Sequence, residues 1–287
     1  MYFSVCITTR NRAEQLDLCL QKLWSSSVQP STVIVSDDSE SSEVRQKNSA
    51  IVQKYYNTSY LVGPRAGISA NRNNTLKGIT ETDLVVFVDD DVCLDPDFIS
   101  LARDRYSKMS AKDRMKTILS GITCNQYGNA TGIVKLSWRG YFCPADEPQA
   151  VNIHAAVFPW SFIEQEKWDE NIFFGYEDAE LCLRALKAGY RILYCPELKA
   201  SHLCFENGTL ALETVRNLSN YEVYVEAARL YVGIKRYKNI FPNIFYLTAF
   251  IIAYFCHMTI YLLRNNALNV YPTIIRRSNI DRLWKGS

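Results

Sequence analysis

The stretch VFVDDDVCLDPDF, residues 86–98, puts Asp89, Asp90, Asp91, Asp95 and Asp97 into one short span. Carboxylates this close repel one another, so something must offset the repulsion. Water at a solvated turn is the plain answer, because short acidic triplets are common. A divalent cation is the sharper one. Mg²⁺ and Mn²⁺ prefer carboxylate oxygen and leave coordination positions open for phosphate or water. Asp89 and Asp91 form the D-x-D that would hold it, and such a cation would screen a diphosphate leaving group. His202, at the end of YCPELKASH, is a candidate third ligand beside that pair. His154 and His257 stand in no such context.

Other groups could act with them. Asp37 and Asp38 follow a short apolar run and could accept hydrogen bonds from a base N–H or ribose hydroxyls, although a turn after a strand favours Asp anyway. In GISANRN, residues 67–73, Gly67 permits a tight turn and a helix N-terminus favours an anion. Arg72 could pair with phosphate oxygens through its planar fork. Taken alone, a Ser-capped surface helix with a solvated Arg72 is the stronger reading. Glu177 and Asp178 open a helix, where acids are favoured by the dipole. One of them could also be a general base for a sugar hydroxyl, taking the proton late, as the hydroxyl turns acidic. No Ser/His/Asp or Cys/His spacing points to covalent catalysis, and there is no P-loop sequence.

These residues need elements to position them. Residues 2–8 read as a strand, and 11–25 as a helix with Leu16, Leu20 and Leu23 on one face. Strands follow at 32–35, 59–62 and 84–88, with helices at 42–56 and 69–78. This β/α alternation predicts an α/β fold, a mainly parallel sheet covered by helices on both faces. Such sheets bind ligands outside the carboxyl ends of their strands. Three polar clusters fall at such ends: TTRNR with Thr9 and Arg12, then Asp37–Asp38, then Asp89–Asp91. The second half is less regular. Residues 125–150 lack periodicity, 175–189 read as a helix, and 190–194 as a strand followed by a Pro-containing loop to His202.

The bulk numbers bound these readings. A chain of 287 residues with 48% apolar and 22% charged residues is globular, and a net charge of +2 gives no nucleic-acid signal. Nine cysteines without a CxxC pair argue against a zinc knuckle or a disulfide scaffold and for free thiols in a reducing compartment. The opening YFSVCITT reads as a strand and not as a secretory signal, so the catalytic part is expected in the cytoplasm. Residues 244–263 carry no Asp, Glu, Lys or Arg and are long enough to cross a bilayer. Basic residues flank the run on both sides, from Arg229 to Lys238 and from Arg264 to Arg282. A single span would carry one set across, against the positive-inside tendency. The expectation is a helix lying on the inner face of a membrane, with peripheral contact through 235–285. Burial against the domain, or in a homodimer, is the alternative.

Taken in order, these segments resemble inverting glycosyltransferases of the GT-A fold, in glycosyltransferase family 2. SVCITTRNR, VIVSDDS, GISANRN, FVDDDVCLDPDF and WDENIFFGYEDAELCLRALKAGYRILYCPELKASH carry the resemblance, which covers about Tyr2 to His202. It implies a Rossmann-like, mainly parallel sheet flanked by helices, with a C-terminal helical extension. The catalytic domain would be 1–205, with a nucleotide-sugar half at 1–98 and an acceptor half at 99–205, followed by a helical region at 206–287. Thr9, Arg12, Asp37, Asp38, Gly67, Arg72, Asp89 and Asp90 would surround a nucleotide-sugar donor, a UDP-sugar favoured. Asp89, Asp91 and His202 would hold Mn²⁺ or Mg²⁺. Asp178, with Glu177 as the alternative, would be the base in a single displacement onto a glycan or lipid-linked acceptor, in cell-surface polysaccharide or glycolipid assembly.

Two positions depart from the family pattern: Thr75, and Lys167-Trp168, where glycines are common. Both are expected to alter acceptor contacts. The Q-x-x-R-W segment of processive synthases is absent after His202, so transfer of one sugar is expected. Two competing readings remain. A sugar-nucleotide nucleotidyltransferase would carry a Gly-rich, Lys-containing loop where TTRNRAEQ stands. A non-catalytic glycan-binding or assembly subunit would not need Asp89, Asp91 and Asp178.

Overall fold

The computed structural model describes residues 1–124, 132–203 and 213–284. Its first third alternates strand and helix: β1 (Phe3–Thr9), α1 (Ala13–Trp24), β2 (Thr32–Asp37), α2 (Ser42–Val52), β3 (Thr58–Val62), α3 (Ile68–Thr75) and β4 (Leu84–Asp89). A short β5 (Val92–Leu94), α4 (Phe98–Ser107), α5 (Ala111–Met115) and β6 (Thr117–Cys124) follow. Next come a hairpin of β7 (Val134–Leu136) and β8 (Phe142–Pro144), then β9 (Ala156–Pro159), α6 (Trp160–Ile163), α7 (Glu177–Lys187) and the long β10 (Arg191–His202). The main sheet has eight strands in the order β3-β2-β1-β4-β9-β6-β10-β5. β9 and β5 pair antiparallel with their neighbours, and the other pairings are parallel. Because β2 and β4 flank β1, the chain leaves β1 in opposite directions, which opens a crevice above its carboxyl end.

Alternating side chains explain why helices cover both faces. In β1, Phe3, Val5 and Ile7 join one buried cluster with Leu16, Leu20 and Leu23 of α1, while Cys6 joins the other. In β4, Leu84, Val86 and Val88 face the first cluster, and Val85 and Phe87 face the second, beside Phe158 and Trp168. The eight described cysteines are free thiols; Cys204 lies outside the described residues.

β10 departs from expectation. A strand of five residues and a loop were predicted, but one strand runs from Arg191 to His202, with a register break against β6 between Tyr194 and Lys199. Pro196 falls within that break, where a missing N–H costs no ladder bond. Gly121 of β6 lies opposite: a Cβ there would stand 2.0 Å from the Leu198 carbonyl oxygen. The bulge thus requires a glycine, and it keeps the strand running on to deliver His202 to the crevice.

The C-terminal region is helical: α8 (Asn220–Lys235), α9 (Ile244–Arg264) and α10 (Tyr271–Arg277). Two-residue strands β11 (Thr214–Val215) and β12 (Leu218–Ser219) precede it. Ser219 and Glu222 form a reciprocal capping box that starts α8. Tyr231 and Val232 of α8 pack with Ala179 and Leu183 of α7. Lys235 bonds Asp169 and Glu180, both at 2.6 Å. The helical region is therefore bolted to the sheet domain, and the boundary expected at 205/206 falls outside the described residues.

Candidate active site

A cleft of about 750 Å³ opens above β1. Its wall includes Thr8, Thr9, Arg12, Asp38, Gly67 and Asp89–Asp91, with His154 and His202 from the second half. Phe173, Phe174 and Tyr221 close another side. The three strand-end clusters do meet here, because parallel neighbours put their carboxyl ends on the same edge: Thr8 pairs with Asp89 and Thr9 with Asp37 across the ladders.

The acidic triplet is held by donors of this chain. The Thr8 hydroxyl donates to Asp89 at 2.8 Å, and that of Thr9 to Asp90 at 2.7 Å. Arg12 donates to Asp90 at 3.1 Å and Asp91 at 2.6 Å. Asp89 is also paired with Arg72 at 3.4 Å and His154 at 2.9 Å. Burial alone would raise the Asp89 carboxyl, but Arg72 and His154 outweigh it and hold the group well below the usual carboxylate range. Asp90 goes the other way: burial pushes it up to about 7, against the pull of Arg12 and Thr9. The repulsion among the three carboxylates is thus offset by two guanidiniums, an imidazole and two hydroxyls.

Asp89, Asp91 and His202 line one cleft, but no three His, Cys, Asp or Glu among the described residues are grouped to hold a metal ion. Arg12 bonds Asp91, and Arg72 and His154 bond Asp89. The donor chemistry still suits a hard cation. Burial, then the neighbouring His154, keep the His202 imidazole below its ordinary range, in the neutral form that ligates.

Arg72 is not solvated, and it does not line the cleft. It is 2% exposed, donates to Glu177 at 2.9 Å as well as to Asp89, and stacks on Trp168 at 4.8 Å. Asp37 is likewise absent from the cleft wall. It is 0% exposed and accepts bonds from the Ser39 amide, Asn48 and Tyr60. It shapes the strand end from inside. Asp38 does line the cleft, accepts the Arg65 amide at 2.8 Å, and has its carboxyl pushed up by burial. Gly67 has φ of 99°, and a Cβ there would lie 2.6 Å from the Phe173 carbonyl oxygen. The first amide of α3, at Ile68, donates to that same carbonyl at 2.9 Å. It is not free for an anion, and the helix is capped by Gly67 and not by Ser69.

Neither Glu177 nor Asp178 lines the cleft; Glu177 connects to it through Arg72, which also pairs with Asp89. Gly175 and Tyr176 both take positive φ, 84° and 62°, and this left-handed turn launches α7. A non-glycine residue there is strained and persists only where the surroundings fix it. Glu177 is ion-paired with Arg72, while its Oε2 is buried without a hydrogen-bond partner. Asp178 accepts the Ala179 amide at 2.7 Å. Burial first, then the adjacent Glu177 charge, push its carboxyl up to about 7. A carboxylate poised there is suited to proton transfer.

Sequence reasoning missed His154. The register explains its place. β9 runs antiparallel to β4, with Val86 opposite Val157 and Val85 opposite Phe158. Continuing that register brings residue 154 opposite 89. An apolar strand after the histidine was the only local signal. Of the positions that depart from the family pattern, Thr75 and Trp168 are buried and Lys167 is exposed. Trp168 is 2% exposed and packs edge-on to Phe87, and the buried Thr75 hydroxyl donates to the Arg72 carbonyl.

Residues 4–111 match the family described as Glycosyl transferase family 2. A comparison with curated proteins found no match. Among solved structures, GalNAc-T7 with UDP, GalNAc and Mn²⁺ superposes with a TM-score of 0.62 at 13% identity, over 83% of this chain and 50% of that one. This chain therefore spans half the length of that relative. S. aureus TarS 1–349 with UDP-GlcNAc gives a TM-score of 0.60 at 20% identity, over 96% of this chain and 79% of that one. Residues 4–111 thus match glycosyl transferase family 2, and the chain has the GT-A fold seen in these glycosyltransferases.

Proposed function

We propose that this chain transfers one sugar from a nucleotide-sugar donor to a hydroxyl of a glycan or lipid-linked acceptor, with inversion at the anomeric carbon. The observation that carries the reading is the cleft itself, in which the acidic triplet at the end of β4, the Thr9 end of β1 and His202 of β10 share one wall, and Asp89 is joined through Arg72 to Glu177, the neighbour of Asp178. A UDP-sugar is the favoured donor, because the similar GalNAc-T7 and TarS structures hold UDP or UDP-GlcNAc.

In this mechanism Asp38 meets the nucleoside, and Thr9, Arg12 and Asp90 fix the floor under it. Asp91 and His202, with Asp89, are the residues that would hold Mn²⁺ or Mg²⁺, which when bound supplies positive charge against the diphosphate oxygens. Asp178 takes the acceptor proton as the hydroxyl oxygen bonds to the anomeric carbon. The carbon–oxygen bond to the diphosphate breaks, and its electron pair leaves with the nucleoside diphosphate. Glu177 keeps Arg72 in place and holds up the Asp178 pKa.

The test is a melting-temperature panel of UDP-, GDP- and dTDP-sugars with Mn²⁺ and with EDTA, on wild type and Asp91→Ala. A ligand that binds only the folded state raises the melting temperature. A rise with the UDP-sugars and Mn²⁺ that disappears in EDTA and in the variant is expected. No rise with any donor would overturn the reading.

A further inference from the structure

The charge of this chain is divided. From residue 227 onward there are 9 Lys and Arg and a single acid, Asp281, so 9 − 1 gives +8; the remaining 23 bases and 29 acids give −6 for residues 1–226. The same positive region carries much of the exposed apolar surface among the described residues. Among the described residues, 10 of the 18 exposed large hydrophobic ones lie between Phe241 and Trp284.

α9 carries most of them, and its geometry is two-sided. Phe250, Tyr254, Met258 and Leu262, spaced four apart, are buried against α8 along the length of the helix. At 100° per residue, Phe245, Ala249, Ile252, Cys256, Ile260 and Leu263 form the stripe on the opposite side. Phe245 is 84% exposed, Ile252 60% and Leu263 53%. No more than 22% of the helix's most apolar window is buried. A monomeric soluble protein rarely leaves so continuous an apolar stripe in water. Crossing a bilayer would strip the buried row from α8, so α9 keeps that contact only by lying along a surface. Arg264, the last residue of α9, and Arg276 of α10 are exposed, and neither guanidinium makes an ion pair or hydrogen bond among the described residues.

We propose that the outer stripe of α9, with Arg264 and Arg276, docks this chain side-on onto an anionic lipid bilayer. The apolar residues enter the acyl boundary and the arginines meet acidic headgroups. The negative sheet domain is thereby held away from the surface. The docking stands independently of the transferase reading. If both hold, it also favours a membrane-borne acceptor, because Tyr261 of α9 bonds Glu222 of α8, next to Tyr221 on the cleft wall.

Flotation of the full chain with phosphatidylcholine vesicles, with and without phosphatidylglycerol, tests this. Binding to the anionic vesicles, weakened by salt, is expected. Ile252→Asp with Leu263→Asp should cut the bound fraction about tenfold without lowering the melting temperature. Arg264→Glu with Arg276→Glu should reduce it to the level on neutral vesicles. Failure to float with anionic vesicles overturns the proposal, as does equal binding to neutral ones or indifference to the aspartates. A dimer in light scattering that Ile252→Asp dissociates would make a second copy the occupant instead. Since the readout is flotation, its failure is distinct from failure of the donor-binding panel.

Discussion

His154 Nε2 lies 2.9 Å from Asp89 Oδ2, joining the turn before β9 to the last residue of β4. Asp89 in turn meets Arg72, and Arg72 meets Glu177. One polar chain therefore runs from the acidic triplet to the start of α7. It fixes the distance between the donor side of the cleft and the candidate base, and it sets the charge state at both ends.

His154→Ala should lower kcat/KM about tenfold, the usual magnitude for a lost hydrogen bond to a charged group. His154→Gln, which keeps a donor, should restore most of it. Initial rates across donor concentrations decide the matter; an alanine variant within twofold of wild type would remove His154 from the site.

Asp178→Asn should abolish transfer while donor still binds. With the carboxyl pushed up to about 7, the basic form accumulates only as the pH rises through that value, so kcat/KM should climb on this limb. Glu177→Gln removes the like charge and should move the limb to lower pH. A pH–rate profile that is flat through neutrality would exclude Asp178 as the base.

The same shift bears on stability. A carboxyl whose folded pKa lies above its unfolded one favours the folded state at low pH, and that contribution is lost as the pH rises to about 7. Asp178→Asn should therefore melt higher relative to wild type at alkaline pH than at acid pH. Melting curves at the two extremes check the sign.

Asp37→Ala should act on stability and not on nucleotide choice. It leaves Asn48, Tyr60 and the Ser39 amide without their buried acceptor. A loss of about 3 kcal/mol is expected in urea unfolding. Full stability with lost donor binding would return Asp37 to the cleft.

Lys235→Met tests the joint between the helical region and the sheet domain. It strips a cation from Asp169 and from Glu180, which is 0% exposed. Breaking one partner of a buried charge cluster costs about 3–5 kcal/mol. A urea midpoint equal to that of wild type would show that the packing of α7 on α8 suffices alone.

Much of this molecule was legible in the sequence, because much of it is decided locally. The apolar runs at Phe3–Thr9 and Leu84–Asp89, the helical spacing of Leu16, Leu20 and Leu23 in α1, and glycine at 67 are demands of single strands, helices and turns. Parallel β/α order then sends Thr9, Asp38 and Asp89–Asp91 to one edge without further information. What the tertiary structure decided is which charges meet. Asp89 and His154 are 65 residues apart, and Arg72 and Glu177 are 105 apart. No periodicity records such distances. Burial and long-range neighbours set a side chain's charge state, and these arise only when β9 pairs with β4 and α7 docks behind α3. So the sequence located the acids, and packing made Asp37 structural, tied Glu177 to Arg72, and left Asp178 raised toward neutrality.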